Sequence, residues 1–169
     1  MNKLYILAVC VGAFFLAGCP FQSLHQLGNP VVNTFDNTLL GTWGGCDVKD
    51  KTDCSHLRIY RFNATEYYIE MRENAHPNDI IRLRGFMTDI GVPGLMDAQE
   101  LDISTGTQRM HYFAKLEMQS SGKLKISFMS DEFTKKDFKT DKEFIKYVKN
   151  NYRSPGFFDE GDVFEREAE

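Results

Sequence analysis

Residues 109–128 constrain the fold most. Met110, Tyr112, Ala114, Leu116 and Met118 alternate with Arg109, His111, Phe113, Lys115 and Glu117. Ser120-Ser121-Gly122 interrupts the pattern, and Leu124, Ile126 and Phe128 resume it. Successive side chains of a strand point to opposite faces, so two such runs around a turn predict an antiparallel hairpin. A slip of one residue would move all of these apolar groups into water, so the register is firmly set.

The same period recurs upstream. Leu57 and Ile59 alternate with Arg58 and Tyr60, Asn63 to Glu66 is a turn, and Tyr67, Ile69 and Met71 alternate with Tyr68, Glu70 and Arg72. Ile81, Leu83 and Met87 share a face against Arg82, Arg84 and Phe86. Leu95 to Ile103 is a weaker strand rich in acids, and Val163-Phe164-Glu165 is a short closing strand. Then the period changes. Thr140 and Glu143 form a capping box, and Phe144, Ile145 and Val148 make an apolar stripe, which predicts a helix over about 141–151. The expectation is an all-β fold of about seven or eight strands with one C-terminal helix. Short links favour antiparallel pairing, giving a small barrel or strongly curved sheet.

Composition supports this reading. Fourteen Phe and seven Tyr suit half-buried pleated surfaces. The chain of 169 residues is one domain's worth. A formal net charge of -4 is of the wrong sign for nucleic acid, which is not expected as a partner.

Met1 to Gly18 reads as a leader. One lysine precedes an apolar run of 13 residues, Leu4 to Leu16. That length falls short of the roughly 20 residues of a membrane-spanning helix and suits a signal peptide. Leu16-Ala17-Gly18-Cys19 resembles the lipobox of bacterial lipoproteins. The resemblance implies cleavage before Cys19, lipid (palmitate among the acyl groups) on that residue, and a membrane anchor. Pro20, where Asp would favour the inner membrane, implies an outer-membrane lipoprotein facing the periplasm. Residues 19–32 then read as a flexible lipidated tether, and residues 33–169 as a single domain.

Loss of the leader removes Cys10 and leaves Cys46 and Cys54. Exported chains sit where disulfides persist, and the polar stretch between these residues suits a closed ring. Closing about nine residues stabilises by about 2.6 kcal/mol in the chain-entropy model. The alternatives are free thiols or a metal site using His56, whose spacing matches no zinc pattern.

Asn33-Thr34-Phe35-Asp36, followed by Gly41-Thr42-Trp43, resembles the opening of the lipocalin superfamily. The resemblance implies a short helical turn, then a first strand whose Trp43 plugs one end of a barrel. The family's later Thr-Asp-x-x-Tyr and terminal Arg motifs are not legible; Thr88-Asp89 lacks the Tyr.

No nucleophile elbow, zinc-protease helix, phosphate loop or dinucleotide fingerprint occurs, and the expectation is a protein that is not an enzyme and needs no cofactor or metal. His111, and the acids Asp97, Glu100 and Asp102, have simpler readings as a sheet-lining histidine and solvated strand-edge carboxylates. Two features suit binding. Trp43, Tyr67, Ile69, Met71, Met110, Tyr112, Leu116 and Met118 would line the interior and meet an apolar or lipid ligand. A filled core explains the same pattern. Lys135, Lys136, Lys139, Lys142, Lys146, Lys149 and Arg153 form a basic segment suited to anionic headgroups or an acidic partner, or simply to a solvated helix face. The expected function is a binding module for an apolar or lipid ligand; the alternative is a structural or interaction accessory of an envelope complex.

Overall fold

A computed structural model of the chain describes residues 21–31, 35–46, 54–74, 78–101, 109–131 and 137–168. In the hairpin read from residues 109–128, β7 (His111–Met118) pairs antiparallel with β8 (Leu124–Phe128), Leu116 opposite Ile126 and Met118 opposite Leu124. The other described strands are β1 (Gln22–Ser23), β2 (Gly41–Cys46), β3 (Cys54–Arg61), β4 (Tyr67–Glu73), β5 (Ile80–Met87), β6 (Leu95–Glu100) and β9 (Asp162–Arg166). One helix, α1 (Asp141–Asn151), lies between β8 and β9.

β2 to β8 pair in chain order, and β9 inserts between β8 and β2. Eight antiparallel strands, β2–β9, therefore close into a lipocalin-like barrel. Closure pairs the barrel strands on both sides and leaves only a short edge of β7, at His111 and Tyr112, beyond the reach of β8, which limits the usual template for edge-to-edge aggregation.

The interior is filled by one face of each strand. Trp43, Leu57, Ile59, Tyr67, Ile69, Leu83, Leu116, Leu124, Ile126 and Phe164 are all buried there. Small residues make the fit possible. A Cβ at Gly45 would stand 3.0 Å from the Phe164 ring, and one at Gly85 would stand 3.1 Å from the Ala98 Cβ. Two narrow places in the wall thus admit large neighbours.

A second core lies outside the barrel. Leu95 and Phe113, on the outer faces of β6 and β7, are buried beneath Phe144 and Val148 of α1. The Phe113 and Phe144 rings meet edge to face at 5.1 Å. The capping box is present with a shift of one residue. The Thr140 hydroxyl accepts the Glu143 N–H at 3.2 Å, and the Glu143 carboxylate accepts the N–H of Lys139 rather than that of Thr140.

The stretch expected as a flexible tether is docked over residues 21–28. Gln22 and Ser23 pair with Tyr112 and His111, taking the edge of β7 that β8 leaves open. Leu27 is wholly buried in the outer core, and Phe21 stacks on Phe113 at 6.0 Å. Most residues of this segment are polar or turn-forming, which suits a tether. Its two apolar side chains and a free strand edge decide otherwise. Residues 1–20 and 32–34 lie outside the described residues.

Of the three readings left open for the thiols, the disulfide is present. Cys46 and Cys54 are direct cross-strand partners, with Cα atoms 3.9 Å apart. The bond closes the β2–β3 hairpin at its loop end.

Candidate functional site

The two barrel ends differ in kind. At one end the chain enters through a 3-10 turn, Asn37–Leu39, capped by the Asp36 carboxylate, which accepts the Thr38 N–H at 2.8 Å. The Trp43 indole N–H donates to Leu39 O at 3.0 Å, fixing the turn over the ring. The guanidinium of Arg166 lies over that ring at 4.2 Å and donates to the carbonyls of Leu40 and Thr38, each at 2.7 Å. Phe35 stacks on Tyr67 at 4.4 Å, and Arg61 covers Phe35 at 3.9 Å. The Tyr67 hydroxyl donates to Asp36 O and accepts the Asp36 N–H. Burial pushes this hydroxyl's pKa up. This end is a sealed plug. The role of Arg166 was not legible in the sequence, because the carbonyls it reaches lie 126 and 128 residues away in the chain.

At the opposite end β2, β4 and β6 finish and β3, β5 and β7 begin. Met71 and Ile81 are cross-strand partners on the inward face, and Ile81 is 47% exposed. Phe128 and Met71 are half-buried against the core. Tyr112 and Glu100 supply the polar pair here. Burial, and then the hydrogen-bonded Glu100 carboxylate, raises the pKa of the Tyr112 hydroxyl. Exposed Ile81 and half-buried Met71, beside one hydroxyl and one carboxylate, can meet a single apolar group bearing a polar head.

The expected lining residues therefore separate by level. Trp43 and Tyr67 belong to the plug, and Met118 ends β7 at the same sealed end, 40% exposed. Ile69 and Leu116 are buried midway along the barrel. Met71 and Tyr112 stand at the mouth, with half-buried Met110 just before β7. Only this last group can meet a ligand without displacing the core.

On the outer wall the structure corrects the reading of Asp97 as a solvated edge acid. Asp97 is 1% exposed. Its carboxylate accepts the Leu27 N–H at 2.7 Å and the ring of buried His111 at 2.5 Å. Gln99 reaches the other ring nitrogen at 2.7 Å. A carboxylate only accepts and the Gln99 amide nitrogen only donates, so the partners select the tautomer with the proton on Nδ1. Both carboxylate oxygens and both ring nitrogens are engaged, and the trio holds the amino-terminal segment. Glu100 is at the mouth, and Asp102 lies outside the described residues. No group of three metal-ligating side chains occurs among the described residues.

The same segment is held a second time. His25 donates from Nδ1 to the Asp141 carboxylate at 2.8 Å and from Nε2 to Phe138 O at 2.6 Å. The Asp141 hydrogen bond, then the Phe138 carbonyl, raises its pKa above 6.5. A raised histidine stabilises most while protonated, below its unfolded pKa, and that contribution is lost as pH rises through the folded value. The difference in stability between the parent and His25→Gln is therefore expected to shrink from about pH 5.5 to about pH 8.5, followed by urea unfolding at each pH. A difference constant across that range would remove the role assigned to the protonated ring.

A surface cavity of about 560 Å³ lies outside the barrel between Gly94, Lys115, Glu117 and Arg153. Lys115 and Glu117 pair with each other at 2.7 Å, and Arg153 lies over the Tyr152 ring at 5.0 Å. No family model, curated protein or solved structure matches the chain. Fold and site define the class: a closed, lipocalin-like antiparallel barrel, plugged at one end, with a helix on its wall.

Proposed function

We propose that the protein is a lipid-anchored envelope lipoprotein, acylated at Cys19 and facing the periplasm from the outer membrane. Its barrel is a binding module that takes an apolar or lipid ligand at the mouth, not in a deep cavity. The observation behind this is the asymmetry of the ends. One is sealed by Arg166 over Trp43, and the other exposes Ile81 beside Met71, with Tyr112 and Glu100 as a polar handle. The lipobox resemblance supports the anchor, and the Gly41-x-Trp43 opening supports the lipocalin-like reading.

A fluorescent fatty-acid probe is expected to bind the mature protein and to lose roughly tenfold in affinity in Ile81→Glu, the size of one buried aliphatic side chain. Retained binding in that variant would move the site away from the mouth. No binding by the parent protein would favour the second reading, an interaction accessory without a small ligand. That reading has its own observation. The outer faces of β3–β5 carry Tyr60 beside Tyr68 at 6.4 Å, with Arg58, Arg72, Arg82 and Arg84 around them. Tyr and Arg dominate the energetics of protein interfaces.

A further inference from the structure

We infer that the α1 side of the barrel is the face laid on an anionic lipid surface, a step that rests on the acylation of Cys19 proposed above. Phe21 is already docked. Its N–H donates to Met129 O at 2.9 Å, and its ring lies between Phe113 at 6.0 Å and Phe144 at 5.8 Å. Only Pro20 separates it from Cys19. Two peptide units reach about 8 Å at most, so the anchor leaves no slack for the barrel to roll. The lipid surface must lie along the side where Phe21 emerges.

The outermost groups on that side are basic. Lys142, Lys146 and Lys149 lie on the face of α1 opposite buried Phe144 and Val148, at the i, i+4, i+7 spacing of one stripe. All three are exposed, and they form no ion pair among the described residues. The neighbouring acids are engaged, Asp141 by the His25 ring and Glu143 by the Lys139 N–H. Leu24, 54% exposed, stands between Ser23 on β7 and His25 on α1. Lysines beside an apolar side chain suit an anionic headgroup layer, and the attraction falls off within a Debye length. In the ring of eight strands β3 stands four places from β7, so the part of the arginine and tyrosine wall carried by β3 faces away from the lipid.

The test uses the full-length acylated protein added to preformed vesicles of phosphatidylglycerol and phosphatidylethanolamine. A thiol introduced by Asn150→Cys, on α1, is compared with one introduced by Arg58→Cys, on β3, for labelling by an impermeant maleimide polymer. Asn150→Cys is expected to label roughly tenfold more slowly on vesicles than in detergent, and Arg58→Cys equally in both. Adding Lys142→Gln, Lys146→Gln and Lys149→Gln to Asn150→Cys is expected to raise the rate on vesicles part of the way, since the anchor still holds this side near the lipid, and an unchanged rate overturns the part given to the lysines. Equal protection of both thiols, or greater protection of Arg58→Cys, overturns the assignment of this face. The mass of the mature amino terminus is read on the same sample. A bare Cys19 overturns the anchor itself, whereas an acylated chain with an unprotected Asn150→Cys overturns the orientation alone.

Discussion

Trp43→Ala is expected to lower stability by about 3–5 kcal/mol, the range for truncating a fully buried large aromatic side chain. The indole fills the sealed end of the barrel and gives Arg166 the ring over which it lies. Its loss leaves a cavity bounded by strands that pair on both sides and cannot collapse inward. It also frees the Leu39 carbonyl that the indole N–H had satisfied. Arg166→Ala removes two hydrogen bonds and one cation–π contact from an exposed position, so about 1–2 kcal/mol is expected. The two effects are coupled, and the double variant should cost less than the sum. Circular dichroism in urea is the measurement, since Trp43 is the sole tryptophan and its fluorescence goes with it. A Trp43→Ala cost under about 1 kcal/mol would mean that the plug does not hold the barrel shut.

Asp97→Ala should act on the amino-terminal segment before it acts on the barrel. Removing the carboxylate strands the Leu27 N–H and the His111 ring N–H in a buried place, with a cost of about 2–5 kcal/mol for the two. The segment from Phe21 to Gly28 is then held by its short pairing with β7, the Phe21 N–H on Met129 O, the His25 contacts and the apolar docking of Phe21 and Leu27. Hydrogen exchange of the Leu27 amide should rise well before that of β3 and β4, whose amides lie within the closed barrel. Limited proteolysis should cut within residues 21–31 first. Asp97→Asn is expected to recover part of the loss, because its amide oxygen can accept from one of the two donors but not from both. Simultaneous loss of protection in segment and barrel would show one cooperative unit, contrary to this division.

The strands were legible where one face is wet and the other dry. Residues 109–128 show the two-residue period plainly, and so do residues 57–62 and 67–72, because exposed Arg58 and half-buried Glu70 and Lys125 alternate with buried neighbours. The helix was legible from the Thr140–Glu143 cap and the Phe144–Val148 stripe. Two residues at the sealed end were legible through resemblance: Trp43 as a plug and Asp36 at the head of a short turn. β1 was not legible, since a strand of two residues carries no period.

Phe113 and Asp97 mark the limit of pattern reading. Both lie on outer faces, where alternation predicts contact with water. Both are buried because α1 and the amino-terminal segment cover that part of the wall. Covering elements come from residues 21–28 and 141–151, far from β6 and β7 in the chain, and nothing local to either strand announces them.

Sequence alone determined the alternation, the helix, the pairing-ready cysteines and the turn before Trp43, because each depends on neighbours within a few residues. Tertiary structure alone decided that the sheet closes, that Arg166 crosses to Trp43, and that the amino terminus lies against the wall. Those outcomes depend on which distant surfaces exclude water together, a property of the folded solid and of no single stretch of chain.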